Sequence, residues 1–292
     1  MSDFDSNLQQ LNDALLLEIV KAMALPQTNS AMAIISLLFG KATLRFSKLV
    51  LGLDREVEQH GAMEGARWLL QHFVKSHEAN GMELIPRNVP LIIVSNHPAS
   101  YDGMVITAHI PRPDLKIIIG EIPPYRYLPH VSQHIIFSPN VKNTFGRMGT
   151  VRNAIHHLKE GGALLIFPRG GIEPDPAFMP QPDVEFHQWS RSLEILVRNV
   201  PQTQVLITIV SGVIAQEAMH HPITWFRKAR PDRQRLAFIY QMIRQVWSGK
   251  ELYDLIPRVT FGEVLSSANH ETILPEVEQA ARRVLAQHLL SL

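Results

Sequence analysis

His97 and Asp102 are the pair of residues in this 292-residue chain best suited to proton chemistry. An imidazole titrates near neutrality, and a carboxylate beside it fixes its tautomer and stabilises the imidazolium, which is what a general base requires. The two are five residues apart, roughly 140° around a regular helix, so they meet only if the chain between them turns irregularly. Pro98 favours such a turn. The plainer reading is a strand-to-helix turn with a capping Asp and a solvated His, and these residues alone leave both open. Ser100, inside the turn, fits a capping role better than a nucleophilic one.

The elements around this pair follow from the apolar pattern. Leu91 to Val94 is apolar throughout and β-branched in three of four positions, which predicts a buried strand ending near Asn96. Ser100 or Asp102 then caps a predicted helix over 103–110. A second buried strand, Ala163 to Phe167, runs into Pro168-Arg169-Gly170-Gly171, whose glycines allow backbone N–H groups to face an anion. From Pro86 onward strands and helices alternate, the pattern of an α/β sheet. Further strands are predicted at Leu115–Ile119, His134–Phe137, Val205–Val210 and Arg258–Gly262. Helices are predicted over 150–159, 189–198, 233–247 and 275–290. Before residue 80 the periodicity is helical: one helix broken by Pro26, a second from Ser30 to Leu53, a third from Arg55 to Lys75. The expected organisation is a helical segment over 1–80 and an α/β domain over 81–292.

Composition excludes several classes. With 28 basic and 27 acidic residues and no basic run of five, nothing marks a nucleic-acid partner. The absence of cysteine rules out disulfides, thiolate chemistry and Cys-based zinc sites, and fits a reducing cytoplasm. His130 and His134 stand four apart but lack the H-E-x-x-H pattern, and His156-His157 and His220-His221 point to different helix faces, so no metal is expected. Gly161-Gly162 is a helix stop, not a nucleotide loop. The N-terminal MSDFDSNLQQ is not a secretory signal. The apolar run 31–40 is too short to span a bilayer, which needs about 20 residues. Residues 31–52, with Lys41, Arg45 and Lys48, form either a basic amphipathic helix on a membrane surface or a helix packed on the rest of the chain. The expectation is a cytoplasmic protein, with peripheral contact on the inner face of a membrane left open.

Asn96-His97-x4-Asp102, followed some seventy residues later by Phe167-Pro168-Arg169-Gly170-Gly171, resembles the signatures of the glycerol-3-phosphate/lysophosphatidate acyltransferase family. The resemblance covers roughly residues 80 to 265. It implies a mixed, mostly parallel sheet flanked by helices. It also implies transfer of a fatty acyl group from acyl-CoA or acyl carrier protein to a glycerol-phosphate or lysophospholipid-type hydroxyl. His97 is then the base, Asp102 its orienter, and no cofactor is needed. Ser100, Arg169, Gly170, Gly171 and Arg147 become candidates for substrate binding. The N-terminal helices are expected to cover the sheet, wall an acyl channel or dock to a membrane.

Three positions depart from the family pattern. Arg169 stands where the family has Glu, and Glu173 is near enough to supply a displaced carboxylate. Arg169 either grips a substrate anion or pairs with Glu173 or Asp175 to stiffen the loop. Pro139 falls where an Arg is expected, with Lys142, Arg147 and Arg152 downstream as substitutes. Val210-Ser211-Gly212 replaces the family's Val-Pro. The alternatives are a non-catalytic lipid- or acyl-binding protein on the same scaffold, or an acyl thioester hydrolase.

Overall fold

Strands that are apolar on both faces must be covered on both faces, and that requirement organises this molecule. The computed structural model describes residues 3–23, 25–139, 144–190, 192–266 and 273–292. Three helices open the chain: α1 (Asp3–Ala22), α2 (Asn29–His60) and α3 (Ala62–Leu70). Then follow β1 (Glu78–Asn80), β2 (Leu91–Ser95), α4 (Asp102–Thr107), β3 (Lys116–Gly120), α5 (Pro129–Ser132) and β4 (Ile135–Ser138). The second half holds α6 (Thr144–Lys159), β5 (Ala163–Ile166), α7 (Ser192–Asn199), β6 (Gln204–Ser211), α8 (Gln216–His220), α9 (Arg230–Ser248), β7 (Arg258–Ser266) and α10 (Ile273–Leu289).

The strands form one seven-stranded sheet in the order β1-β7-β6-β2-β5-β3-β4. Only the β6/β7 pairing is antiparallel among the described strands, so the sheet is mixed and mostly parallel, as expected. β2 lies at its centre, with Leu91 opposite Ala163 of β5 on one side and Gln204 of β6 on the other. Alternation along β2 splits the core. Leu91 and Ile93 face a cluster built with α2, α3 and α4, whereas Ile92 and Val94 face one built with α6, α7 and α10. The central strand is thereby fixed on all four sides, and its C-terminal end is a rigid place to mount a site.

Several boundaries differ from expectation. α2 does not stop at Leu53 but runs to His60, where Gly61 (φ +86°) ends it and donates its N–H to Val57 O. Asp54 stays helical because its buried carboxylate accepts the Val131 N–H at 2.8 Å, tying α2 to α5. α6 begins at Thr144, six residues earlier than its periodicity suggests. β1 had no signal: it is three residues long and only its pairing with β7 makes it a strand. α1–α3 share a continuous apolar core with the sheet, through Leu11, Leu53, Leu70 and Phe73.

Candidate active site

Beyond Ser95 the β2 chain leaves the sheet, and Asn96 controls how. Its buried side chain donates to Val210 O (2.9 Å) and accepts from Val210 N (2.8 Å), imitating one more rung of pairing with β6. This places His97 at the carboxyl end of the central strand, where open α/β sheets bind ligands. The turn over Pro98 then brings Asp102 back, and its Oδ2 takes the His97 Nδ1 at 2.8 Å. Asp102 is buried and also accepts the N–H groups of Ala99 (3.1 Å) and Gly103 (2.8 Å). It is the first residue of α4; Ser100, the other expected cap, makes no capping bond.

With Nδ1 committed to Asp102, His97 presents Nε2 as its free nitrogen. Its ring stacks on Phe167, centroids 4.5 Å apart, and its side chain keeps 24% exposure. Burial pulls the imidazole pKa down, but the Asp102 charge and hydrogen bond, helped by Glu173, outweigh it, so the net shift is upward. Arg235, on α9, opposes that rise.

A second carboxylate supports the turn from behind. Glu173 is completely buried; it accepts the His97 N–H at 3.0 Å and the Trp189 indole N–H at 2.9 Å, while its own N–H donates to His97 O at 2.8 Å. Burial pushes its carboxyl up to about 7, against the lowering effect of these donors. Two residues on, buried Asp175 accepts the N–H groups of Ala177, Gly212, Val213 and Ile214 at 2.8–3.3 Å. Burial raises its pKa as well. The two carboxylates lock the 173–177 loop between the His97 turn and the end of β6. Glu173 was visible in sequence only as a carboxylate close behind the Gly-Gly turn; Asp175 as a ligand of the amides just beyond β6 had no signal, because those partners lie 37 to 39 residues away.

Arg169 behaves differently from either expected partner scheme. Its guanidinium pairs with Glu185 at 2.9 and 3.0 Å, not with Glu173 or Asp175. It folds over Gly171, where any Cβ would lie 2.4 Å from Nη1. Arg230 of α9 shares Glu185 at 2.8 Å, and both guanidinium groups approach Ile172 O. Gly170, with φ +68°, donates to Phe167 O and closes the turn. Arg147 belongs to α6, but its side chain, like Lys142, lies outside the described residues. Arg152 is exposed.

A cavity of about 590 Å³ opens at this point. His97, Ser100, Asp102, Phe167 and Gly170 line one end of it, and Ser138 and Pro139 are also among its walls, while Arg169 is not. A second, apolar cavity of about 350 Å³ is walled by α1, α2 and α9 through residues such as Leu15, Ala42, Phe46 and Met242. The two share Leu53, Ser100, Met104, Ile122, Tyr125 and Val131, so an apolar chamber adjoins the larger one close to His97. Among the described residues no group of three or more His, Asp or Glu is placed to hold a metal ion.

Residues 76–211 match the family model named Acyltransferase. No curated protein matches the chain. Among solved structures, the chain is similar to the 1-acyl-sn-glycerophosphate (LPA) acyltransferase PlsC from Thermotoga maritima, at 15% identity over 97% of each chain with a TM-score of 0.43. The matched stretch contains β2, the His97–Asp102 turn and the Arg169–Gly171 loop, and this part of the chain is similar to the acyltransferase family.

Proposed function

We propose that this protein is an acyltransferase that moves a fatty acyl group from an acyl thioester, acyl-CoA or acyl carrier protein, to the hydroxyl of a glycerol-phosphate or lysophospholipid-type acceptor. The observation that carries the reading is the 2.8 Å His97–Asp102 bond at the junction of a mixed cavity and an apolar one. In this reading His97 Nε2 takes the acceptor's hydroxyl proton as the oxygen attacks the thioester carbonyl, and Asp102 stabilises the imidazolium. Collapse of the tetrahedral intermediate breaks the C–S bond, and His97 returns the proton to the departing thiolate. Gly170, at the cavity wall, and Gly171 are assigned to substrate binding, the acyl chain lies in the apolar cavity beside Ser100 and Met104, and Arg147 is assigned to the acceptor. No cofactor enters the scheme.

Residues 1–80 supply the wall of the acyl cavity and, on the outer side of α2, a membrane contact. Ile34, Leu37 and Leu38 are exposed there, Leu37 by 86%, and Lys41, Arg45 and Lys48 follow. No helix among the described residues is long and apolar enough to cross a membrane, so the contact proposed is peripheral.

Labelled acyl-CoA and acyl carrier protein, each offered with a panel of acceptors, test the reading. Transfer is expected from the wild type, and His97→Ala lowers it at least about a hundredfold while remaining folded, the scale of a lost general base. Free fatty acid without transfer would make the protein a thioesterase, and binding without turnover a carrier. Near-wild-type transfer by His97→Ala would end the catalytic assignment.

A further inference from the structure

The chain as a whole is nearly neutral, yet the stretch from Gln216 to Ser248 carries Arg227, Lys228, Arg230, Arg233, Arg235 and Arg244 against only Glu217 and Asp232. Within it a tight 3-10 turn, Pro222–Phe226, joins α8 to α9. At the end of that turn Trp225 and Phe226 are 71% and 85% exposed, the most exposed Trp and Phe among the described residues.

The turn that presents them is firmly built. Buried Thr224 donates its hydroxyl to Met219 O (3.1 Å) and His221 O (2.9 Å), and the His221 ring stacks on Tyr240 of α9 at 3.9 Å. Two large rings are thus held out in water by a rigid frame, with Arg227 and Lys228 immediately after them. The same frame reaches the catalytic turn. Gln234, one turn into α9, donates to Pro98 O (3.2 Å) and Glu173 O (2.8 Å), and Arg230 holds Glu185.

We propose that the Trp225–Phe226 turn is a second membrane contact, separate from α2, which seats on an anionic lipid surface and brings the His97 end of the molecule to it. This deepens the proposed function, since it rests on a lipid acceptor. Aromatic rings settle at the headgroup boundary, and adjacent cations pair with anionic headgroups. Pairing of charges alone would leave both exposed rings outside the contact, so a lipid boundary fits them better than an acidic carrier protein. At the far end of α9, exposed Trp247 accepts an N–H of Arg45 of α2 on its carbonyl, so one helix links the two contacts.

The test compares the full-length protein with the Trp225→Ser/Phe226→Ser variant on vesicles of phosphatidylglycerol with phosphatidylcholine, and on phosphatidylcholine alone. Wild type is expected to co-sediment with the anionic vesicles, and the variant to bind about tenfold more weakly. Its melting temperature should be unchanged, and its turnover of a water-soluble short-chain donor and acceptor should stay within about twofold. Brominated lipid should quench the wild-type fluorescence more than that of Trp225→Phe. Unchanged vesicle binding in the double variant, or quenching unaffected by Trp225→Phe, overturns the proposal. So does a defect confined to carrier-protein binding or to self-association. Wild type that binds vesicles through this turn but transfers no acyl group would overturn the proposed function and leave the contact standing.

Discussion

At the scale of single residues, the site is a balance between burial and countercharge. Burial alone would make His97 a weaker base, but Asp102 and Glu173 reverse that and leave its pKa above the ordinary value. Since the base must be unprotonated to accept a proton, kcat/KM should rise with pH along a limb above about 6.5, the unperturbed imidazole value. Asp102→Asn removes the main countercharge, so the limb should move to lower pH while the maximal rate falls at least about a hundredfold. A pH–rate profile of both proteins checks this, and an unmoved limb would mean that it reports another group. Arg169 belongs to the same scale. Its guanidinium is engaged by Glu185 and Ile172 O and is absent from the cavity wall, so its expected role is to hold the turn. Arg169→Ala should lower the melting temperature and impair donor and acceptor kinetics alike. A rise in KM confined to one substrate would instead reveal a substrate anion contact.

At the scale of elements, the decisive feature is that α1, α2 and α9 leave an apolar chamber beside the His97 turn instead of closing on one another. Ala42 on α2 is buried at its wall, and its small side chain keeps part of that space open. Each methylene transferred from water to an apolar site is worth about 0.8 kcal/mol, close to fourfold in affinity. Filling the chamber should therefore penalise long chains selectively. Ala42→Phe is expected to cut kcat/KM for long-chain donors at least about tenfold while leaving short-chain donors within about twofold. Competition between donors of different length measures this directly, and an equal loss for all lengths would place the acyl chain elsewhere. The element is also where sequence reading was weakest. The end of α2 was misplaced because Asp54-Arg55 looks like a helix boundary, whereas its carboxylate is satisfied by a distant amide of α5.

At the scale of the molecule, buried neutral histidines lose stability in acid, while the buried Glu173 carboxyl, raised to about 7, gains it as pH falls through that value. His288 joins α10 to the sheet by hydrogen bonds to Thr260 (2.8 Å) and Ser211 (2.7 Å), and burial lowers its pKa to about 4. His109, bonded to His77 at 2.8 Å, is lowered to about 4 by burial and the neighbouring charges. For each, the unfolded chain binds a proton from about pH 6.5 downward while the folded one resists until about 4. The stability they contribute is thus complete above pH 6.5 and is lost as pH falls to 4, up to about 3 kcal/mol for each. In urea titrations at pH 7 and pH 5, acidification should shift the midpoint less favourably in the wild type than in His288→Gln; an equal shift in both would remove His288 from the account. The whole molecule also marks the limit of what the chain alone determines. The apolar run before Asn96, the His-x4-Asp spacing and the Gly-Gly turn after a second buried strand were legible because they are local. They carry the acyltransferase resemblance, which implies the mostly parallel sheet, while the alternation of strands and helices marks the α/β class. Only the tertiary structure decided that β2 lies between β5 and β6, that Asn96 extends the pairing with β6, and that Glu173, Asp175 and Gln234 brace the His97 turn. It also decided that Arg169 meets Glu185. Each of these contacts joins residues brought together by sheet order and not by spacing along the chain, so no periodicity records them.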